Sequence, residues 1–386
     1  MTKWNKFKNI LKNMDGLSRI GSANIISGLI SSLFFFLIAA LLGTENYGKV
    51  SYYIAISSLA FTISYLGSSH TVIVYTSKDG KKQSSIYFVT LISAGITAIF
   101  LFFIFFKVEM SLYVVGTAIF GLAISELLGF RLYKNYFKYM ITQRALLLVL
   151  GIGLYYVIGN DGVILGYALS FFPFFIRLFK SFKESKIEPR IIKLRKNFII
   201  HSYIFDVSRN FPIFADKLFI LPLFGFTLLG NYQLGIQVIL FLGILPQSVY
   251  QFVLARDAIG EKRVNLKIAS VLFSFGLASL SLLLAPSIIP ILFSEFTEAV
   301  KIVQIMSISI IPITINYMYI SKFLGDGKSK TVVIGSGIYL TIQILGIIIL
   351  GDLYGINGAA MALMLAASSQ SIWYFVSQNI FREGSK

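Results

Sequence analysis

The sequence predicts an all-α integral membrane protein of about twelve transmembrane helices. Three observations predict this class: the composition, the lengths of the apolar stretches and the placement of lysine and arginine. Hydrophobic residues make up 56% of the 386 residues and charged residues only 13%, about half of their usual share in soluble domains. The chain is therefore too apolar for a water-soluble fold.

Charge-poor stretches near the roughly 20 residues that a bilayer core requires can be counted along the chain. The apolar stretch from Leu218 to Ala255 is too long for one span. We divide it at Gly225, Gly230 and Asn231, because glycine and asparagine favour turns. The predicted spans are residues 21–43, 51–76, 84–106, 111–130, 143–159, 162–179, 198–224, 231–255, 266–286, 301–322, 331–350 and 355–380.

The 34 lysines and arginines, against 17 acidic residues, predict the orientation. In a soluble protein this excess would suggest a nucleic-acid partner, but here the basic residues lie between apolar stretches and no nucleic acid is expected. With a cytoplasmic amino terminus, the alternating connections leave only Lys49, Lys107 and Lys301 on the opposite side. The positive-inside rule therefore predicts a multi-pass plasma (inner) membrane protein with both termini in the cytoplasm.

One long connection divides the chain into two predicted halves of six spans each. It is the basic segment KSFKESKIEPRIIKLRKN. The predicted domains are a cytoplasmic amphipathic N-terminus at 1–20, an N-terminal six-helix bundle at 21–179, the basic cytoplasmic linker at 180–197, a C-terminal six-helix bundle at 198–380 and a cytoplasmic tail at 381–386.

Two short motifs recur in both halves. LLGTENYGKVSYY ends the first predicted span and LFGFTLLGNYQLG ends the seventh, each with a glycine, a short turn and a tyrosine that begins the next span. GNDGVILGYALS and LYGINGAAMALML come before the sixth and twelfth spans. Since an even number of spans gives both halves the same orientation, the motifs predict a parallel repeat about a pseudo-two-fold axis along the membrane normal.

The seventh predicted span carries four ionisable residues, Asp206, Arg209, Asp216 and Lys217. A charge at the bilayer centre costs at least about 2.5 to 3.5 kcal/mol, so such residues are candidates for function. At about 100° per residue, the four fall on one helix face roughly 100° wide. This face is typical of a hydrated cavity lining, where Arg209 and Lys217 would bind an anionic group and the aspartates would tune or couple binding.

A purely structural interpretation of the same four residues stays open. Asp206 would then pair with Arg209, three residues away on the helix. Asp216 would pair elsewhere, and Lys217 would extend to a membrane interface.

Other residues of the spans have weaker signals. Pro212 removes a backbone hydrogen bond from the seventh span and predicts a kink suited to gating. Glu126 precedes Arg131 by about one turn and predicts a salt bridge at the cytoplasmic rim. His70 and His201 are interpreted as interfacial residues near the cytoplasmic ends of their spans.

The missing motifs limit the chemistry. The sequence has no cysteine, no GxxxxGK[ST] nucleotide-binding loop and no HExxH metal motif. It also has no acidic cluster on a loop large enough to hold a sugar nucleotide. We therefore expect no enzyme activity, no cofactor and no metal site; an energy source, if required, would be a coupling ion such as Na+ or H+, whose identity stays open.

Longer segments resemble a known family. They are LLGTENYGKVSYYIAISSLAFTISYLGSS, RNFPIFADKLFILPLFGFTLLGNYQLGIQV, and GDGKSKTVV followed by LYGINGAAMALMLA. Their order and spacing over residues 18–380 resemble the polysaccharide-transport family, the Wzx-type O-antigen and exopolysaccharide flippases. That family belongs to the superfamily of multidrug, oligosaccharidyl-lipid and polysaccharide exporters.

The resemblance implies two six-helix bundles around a central cavity. It implies flipping of a polyprenyl-diphosphate oligosaccharide by alternating access, with cationic cavity residues that engage the diphosphate. Arg209, Asp216 and Lys217 occupy the matching segment, and Arg19 lies at the mouth of the first span. The implied partners are this lipid-linked substrate, membrane lipids and polysaccharide polymerase or assembly proteins.

A flippase needs a polar groove for a charged, hydroxylated headgroup, because burying unpaired polar groups is costly. The polar residues that could line it are Asn24, Ser27 and Ser31 on the first span, Gln237 and Gln247 on the eighth, and Asn316 on the tenth. For the serines, close helix packing is an equally good explanation. The alternative functions are multidrug export by a cation antiporter of the same superfamily and, with less support, an integral-membrane polysaccharide polymerase.

Overall fold

The computed structural model describes residues 3–184, 187–257, 261 and 263–383, and their side chains except at 3–17, 189, 209, 255 and 380–383. Every regular element in these residues is helical, as predicted. The helices are α1 (Lys3–Ser64), α2 (Ser68–Asp79), α3 (Ser84–Phe105), α4 (Val108–Gly129), α5 (Tyr133–Ile158), α6 (Asn160–Leu169), α7 (Phe175–Glu184), α8 (Pro189–Leu194), α9 (Lys196–Leu242), α10 (Ile244–Asp257), α11 (Val264–Leu292), α12 (Ala299–Ile308), α13 (Ile310–Gly325), α14 (Ser329–Tyr354) and α15 (Ile356–Glu383), with a 3-10 turn at Phe172–Phe174.

Ten helical stretches among the described residues are long and apolar enough to cross a membrane. One of them, Ser18–Ser64, has 47 residues and would measure about 70 Å, more than twice the bilayer core. Gly43, at φ 69° and ψ 179°, interrupts this helix, and Gly225, at φ 74° and ψ 179°, interrupts Asn210–Leu242. Dividing the two stretches at these glycines gives twelve apolar segments among the described residues, in agreement with the prediction of about twelve spans and a multi-pass membrane protein.

Several boundaries of the predicted spans differ from the helix boundaries in the structure. The turn expected between Gly225 and Asn231 lies at Gly225 alone, and Gly230 and Asn231 belong to the following helix. Residues 44–50, predicted to connect two spans, are helical. The second predicted span is itself broken at 65–67, where Leu66 and Gly67 have φ of 53° and 66°.

The first repeated motif forms a close helix crossing. A side chain on Gly48 would overlap the carbonyl oxygen of Phe226, and one on Gly230 would overlap that of Thr44. Gly48 lies five residues after the interruption at Gly43, and Gly230 lies five residues after the interruption at Gly225. Each contacts the residue that directly follows the interruption in the other helix. Reciprocal contacts of this kind arise when two equivalent segments meet about a local two-fold axis.

The second repeated motif shapes two equivalent hairpins. Gly159 ends α5 at φ 71° and ψ −146°, and Gly355 ends α14 at φ 61° and ψ −146°. Three residues later, Gly162 and Gly358 pack against the backbone of the preceding helix, so a side chain at either position would overlap it. The same sequence offset thus gives the same backbone in both halves, which supports the predicted repeat.

The described chain groups into two compact units, one of Met1–Ser31 with Tyr53–Phe211 and one of Ser32–Tyr52 with Pro212–Lys386. We call them unit 1 and unit 2. Both α1 and α9 therefore contribute to both units. The change of unit lies inside α9, whereas the predicted bundles meet at the linker 180–197; the division into six helices each stays a prediction.

The second half of the linker packs on unit 1. The Arg195 guanidinium lies 2.5 Å from the Asp79 carboxylate and hydrogen bonds to Gln83. It also stacks 3.8 Å from the ring centre of Tyr75. These contacts explain why the beginning of α9 belongs to unit 1 and not to the unit formed by the rest of that helix.

Candidate functional site

The strongest candidate site is a buried ionic cluster in unit 2. The Asp216 Oδ1 accepts hydrogen bonds from the Lys217 backbone N–H at 2.8 Å and from its Nζ at 3.1 Å. The Asp216 Oδ2 accepts one from the Tyr232 hydroxyl at 3.0 Å. Asp216 is 3% exposed, Lys217 4% and Tyr232 0%, so the carboxylate and the ammonium neutralise each other away from solvent and lipid.

Two residues of α14 complete this cluster. Tyr339 is near enough to Asp216 to interact with it electrostatically. Gln343 lies against Tyr232 and is 2% exposed. Its Oε1 has no hydrogen-bond partner within the described part of the chain. Because a buried polar atom without a partner is costly, a rearrangement that gives this oxygen a donor would be favourable.

The pairing of Lys217 differs from both sequence interpretations. The lysine neither extends to a membrane interface nor faces an open cavity, because its ammonium binds the carboxylate of the preceding residue. Neighbouring side chains on a helix diverge by about 100°, so this pair is not expected from the sequence. The ammonium becomes available to a ligand only when the pair opens.

A second, separate pair lies in unit 1. The Nε2 of His70 is 3.2 Å from the Asp206 Oδ1, and the His70 and Asp206 side chains are 43% and 14% exposed. The Asp206 Oδ2 is buried with no hydrogen-bond partner among the described residues. His70 thus has a carboxylate neighbour in the first turn of α2, directly after the break in the second span, and its interfacial position stays a prediction.

Arg209 was predicted either to bind substrate or to pair with Asp206. Its backbone belongs to α9, and its side chain lies outside the described residues. Both interpretations of Arg209 stay predictions.

The remaining predicted site residues are spread over both units. In unit 1, Asn24 accepts a hydrogen bond from the Tyr136 hydroxyl at 3.0 Å, and Arg19 is partly exposed. In unit 2, Gln237 is 3% exposed, and Pro212 lies inside α9 at the first residue of this unit.

Asn316 connects two helices of unit 2. Its Nδ2 donates to the Ala367 carbonyl and to Gln370, both at 2.9 Å, and its Oδ1 accepts from Ser371 at 2.7 Å. Packing between α13 and α15 therefore already uses this amide. Asn316 could bind a substrate only if it gave up one or more of these hydrogen bonds.

The predicted rim salt bridge of Glu126 has a different partner. Glu126 is fully buried and lies 2.8 Å from Arg177 of α7, not from Arg131. Its Oε2 also accepts hydrogen bonds from Tyr87 at 2.8 Å and Ser181 at 2.6 Å. Arg131 has φ of 58° and follows the end of α4, where the chain turns away before one more helical turn could bring it to Glu126.

Sequence reasoning missed the partners more than the charged residues. Tyr232 belongs to the repeated motif LFGFTLLGNYQLG, which was interpreted only as a turn followed by a new span. The recurrence of this tyrosine in both halves could have singled it out as a candidate. Gln343 lies in a long apolar helix without a neighbouring motif, and nothing in the sequence singles it out. Contacts between residues 16 or more positions apart depend on how the helices pack.

The chain is similar to a known protein family and to solved membrane transporters. Residues 14–133 match the model of a family described as "Polysaccharide biosynthesis protein". The chain is similar to the lipid II flippase MurJ in its inward closed conformation, with a TM-score of 0.78 and 15% identity over 93% of this chain and 87% of that chain. It is also similar to an inward-facing multidrug resistance MATE family transporter of the MOP superfamily, with a TM-score of 0.71 and 13% identity over 93% and 95% of the two chains.

The chain has the fold of these two solved transporters. The resemblance inferred from the sequence motifs is thereby confirmed. No curated protein sequence matched the chain. One of these two structures is a flippase and the other a multidrug transporter, so the shared fold does not specify the substrate.

Proposed function

We propose that the protein flips a polyprenyl-diphosphate oligosaccharide across the plasma membrane by alternating access, for assembly of a surface polysaccharide such as O-antigen. It would perform no covalent chemistry on this substrate. The match of residues 14–133 to a polysaccharide biosynthesis family supports this choice among MOP transporters. The proposal includes cytoplasmic termini and a polymerase or other assembly protein as the next user of the substrate.

The observation that carries the proposal is the buried Asp216–Lys217 pair with Tyr232. A diphosphate headgroup needs a positive partner in the membrane, because an unpaired charge in a low-dielectric interior is strongly unfavourable. Opening the pair would present the Lys217 ammonium to a phosphate. While the pair is open, the Tyr232 hydroxyl would continue to donate a hydrogen bond to Asp216. The unpartnered Gln343 oxygen would be an acceptor for a donor released from the pair.

Further substrate contacts are assigned to the other predicted residues. Arg209 and Arg19 would supply positive charge, and Asp206, Asn24, Gln237 and Asn316 would supply hydrogen bonds to the sugar or coupling to an ion. Pro212 lies where α9 changes unit, which suits a gating residue, because proline lowers the cost of bending a helix.

The decisive experiment is a cell assay of variants of α9. We expect Arg209→Ala and Asp216→Ala each to abolish surface glycan and to cause accumulation of lipid-linked sugar units in the inner leaflet, while the protein still inserts in the membrane. Lys301→Gln is the matched control, because Lys301 is exposed and far from the cluster in sequence. Normal glycan in both test variants would leave the charges of α9 with a structural role only.

Multidrug export is the second candidate, favoured by the structural similarity to a MATE transporter. A drug exporter should protect cells from cationic dyes, and its loss should leave surface glycan unchanged. The two phenotypes of a deletion strain therefore separate the candidates.

A polysaccharide polymerase would need catalytic residues outside the membrane. The acidic residues available there include Glu295 and Glu298. The carboxylate of Glu295 lies against Gly43, in the space that a side chain at that glycine would fill, which is a packing position at the interruption of α1. Loss of glycan in Glu295→Gln or Glu298→Gln with intact flipping would favour the polymerase.

A further inference from the structure

A pocket at one end of unit 2 combines positive charge with an apolar wall. Its volume is about 320 Å³, and it lies between α11, α13 and α15. Lys267 is in the first turn of α11 and Lys322 in the last turn of α13. Tyr319 and Gln378, whose side chains also carry donors, line it as well. These are donors suited to a phosphate oxygen.

The wall below these donors is made of aliphatic side chains. Ile268 and Leu272 follow Lys267 along α11 and are 54% and 65% exposed. On α13, the lining extends from Lys322 back to Ile315, seven residues or about 10 Å along the helix. The pocket therefore offers charge at its mouth and a hydrocarbon surface toward the membrane interior, which is the arrangement of a lipid and not of a soluble anion.

One of the two lysines is paired with a carboxylate. Lys267 lies 2.6 Å from the Asp257 carboxylate, which also accepts a hydrogen bond from Ser321 at 2.8 Å. This pair uses one of the three ammonium donors of Lys267 and holds the lysine at the pocket mouth.

We propose that this pocket, lined by Lys267 and Lys322, binds an anionic phospholipid. Basic pockets between transmembrane helices on the cytoplasmic side are suited to such headgroups, and the distribution of basic residues predicts that this end is cytoplasmic. The phospholipid would seal the ends of three helices of unit 2 and make their packing depend on lipid composition. The inference is independent of the transported substrate.

The test is lipid binding to the purified full-length chain. Phosphatidylglycerol, with phosphatidylcholine as the neutral reference, is titrated against the protein in detergent, and bound lipid is counted by native mass spectrometry. We expect Lys322→Gln to weaken phosphatidylglycerol binding about fivefold, since a lysine near anionic lipid contributes about 1 kcal/mol. Lys322→Arg should retain binding, and Lys267 is left in place so that Asp257 keeps its partner.

The matched control is Lys193→Gln, which removes the same charge from an exposed residue of unit 1 at the same predicted side. Should Lys322→Gln fail to fold, Gln378→Glu places a negative charge at the pocket and should weaken binding likewise. Equal binding by the wild type and the pocket variants would overturn the proposal, as would equal losses in the Lys193 and Lys322 variants. The proposal would also be overturned if inorganic phosphate displaced bound phosphatidylglycerol as strongly as added phosphatidylglycerol does. It would be overturned as well if the pocket variants lost binding of a prenyl diphosphate and kept binding of phosphatidylglycerol.

Discussion

At the scale of single residues, the main feature is a charge pair made by two neighbours in sequence. Asp216 and Lys217 are both almost fully buried, and Tyr232 satisfies the second carboxylate oxygen. Breaking a buried pair by removing one partner is far more costly than replacing both, because the remaining charge is left uncompensated. Stability measurements can therefore reveal whether the pair is closed in the resting protein.

We expect Lys217→Met to lower the free energy of unfolding by about 3 to 5 kcal/mol. The double variant Asp216→Asn with Lys217→Met should recover most of this loss, because no buried charge remains. Denaturant unfolding of the purified protein in mixed micelles measures both values. The exposed-site control Lys301→Gln should change stability by less than about 0.5 kcal/mol. Equal stability of the single and double variants would mean that Lys217 is not buried against Asp216.

At the scale of elements, glycines determine how helices meet and where they end. Gly48 and Gly230 let the second segment of α1 approach the second segment of α9, as small residues do in membrane interfaces. Gly43 and Gly225 have φ of 69° and 74°, a backbone conformation that residues with a side chain rarely adopt. Glycine therefore has two roles here. At Gly48 and Gly230 the absence of a side chain permits close helix contact, and at Gly43 and Gly225 glycine adopts a positive φ.

The crossing gives a second prediction. Gly48→Val or Gly230→Val should each destabilise the protein by at least about 1 to 3 kcal/mol, since the added side chain overlaps a backbone carbonyl that cannot move away alone. Thermal unfolding followed by size-exclusion fluorescence measures the loss. Gly276→Ala is the control, because nothing lies within 4 Å of a side chain there. Wild-type stability of both valine variants would contradict this crossing.

At the scale of the whole molecule, the placement of lysine and arginine predicts the orientation in the membrane. The absence of cysteine provides a clean background for testing it. Lys81 and Glu298 are both exposed and belong to connections predicted on opposite sides, the cytoplasmic and the external one.

We expect Glu298→Cys to react with a membrane-impermeant maleimide in intact cells. Lys81→Cys should react only after the membrane is permeabilised, because its connection would face the cytoplasm. Labelling is read as a mass shift on a gel, and the cysteine-free parent is the blank. The reverse pattern would invert the topology.

The sequence alone determined the class, the number of spans and the repeat. These follow from local properties: apolar length sets whether a helix can span a bilayer, and glycine at a given position sets where a helix breaks. The charged residues of α9 were likewise visible, because charge within an apolar stretch is rare.

Only the tertiary structure decided which groups those charges meet. Asp216 binds Lys217 and Tyr232, Asp206 binds His70, and Glu126 binds Arg177. Apart from the first of these contacts, the partners lie on other helices or helix segments. Helix periodicity shows which residues share a face, but the partner of that face depends on how separate helices pack, and that packing joins residues that the sequence leaves far apart.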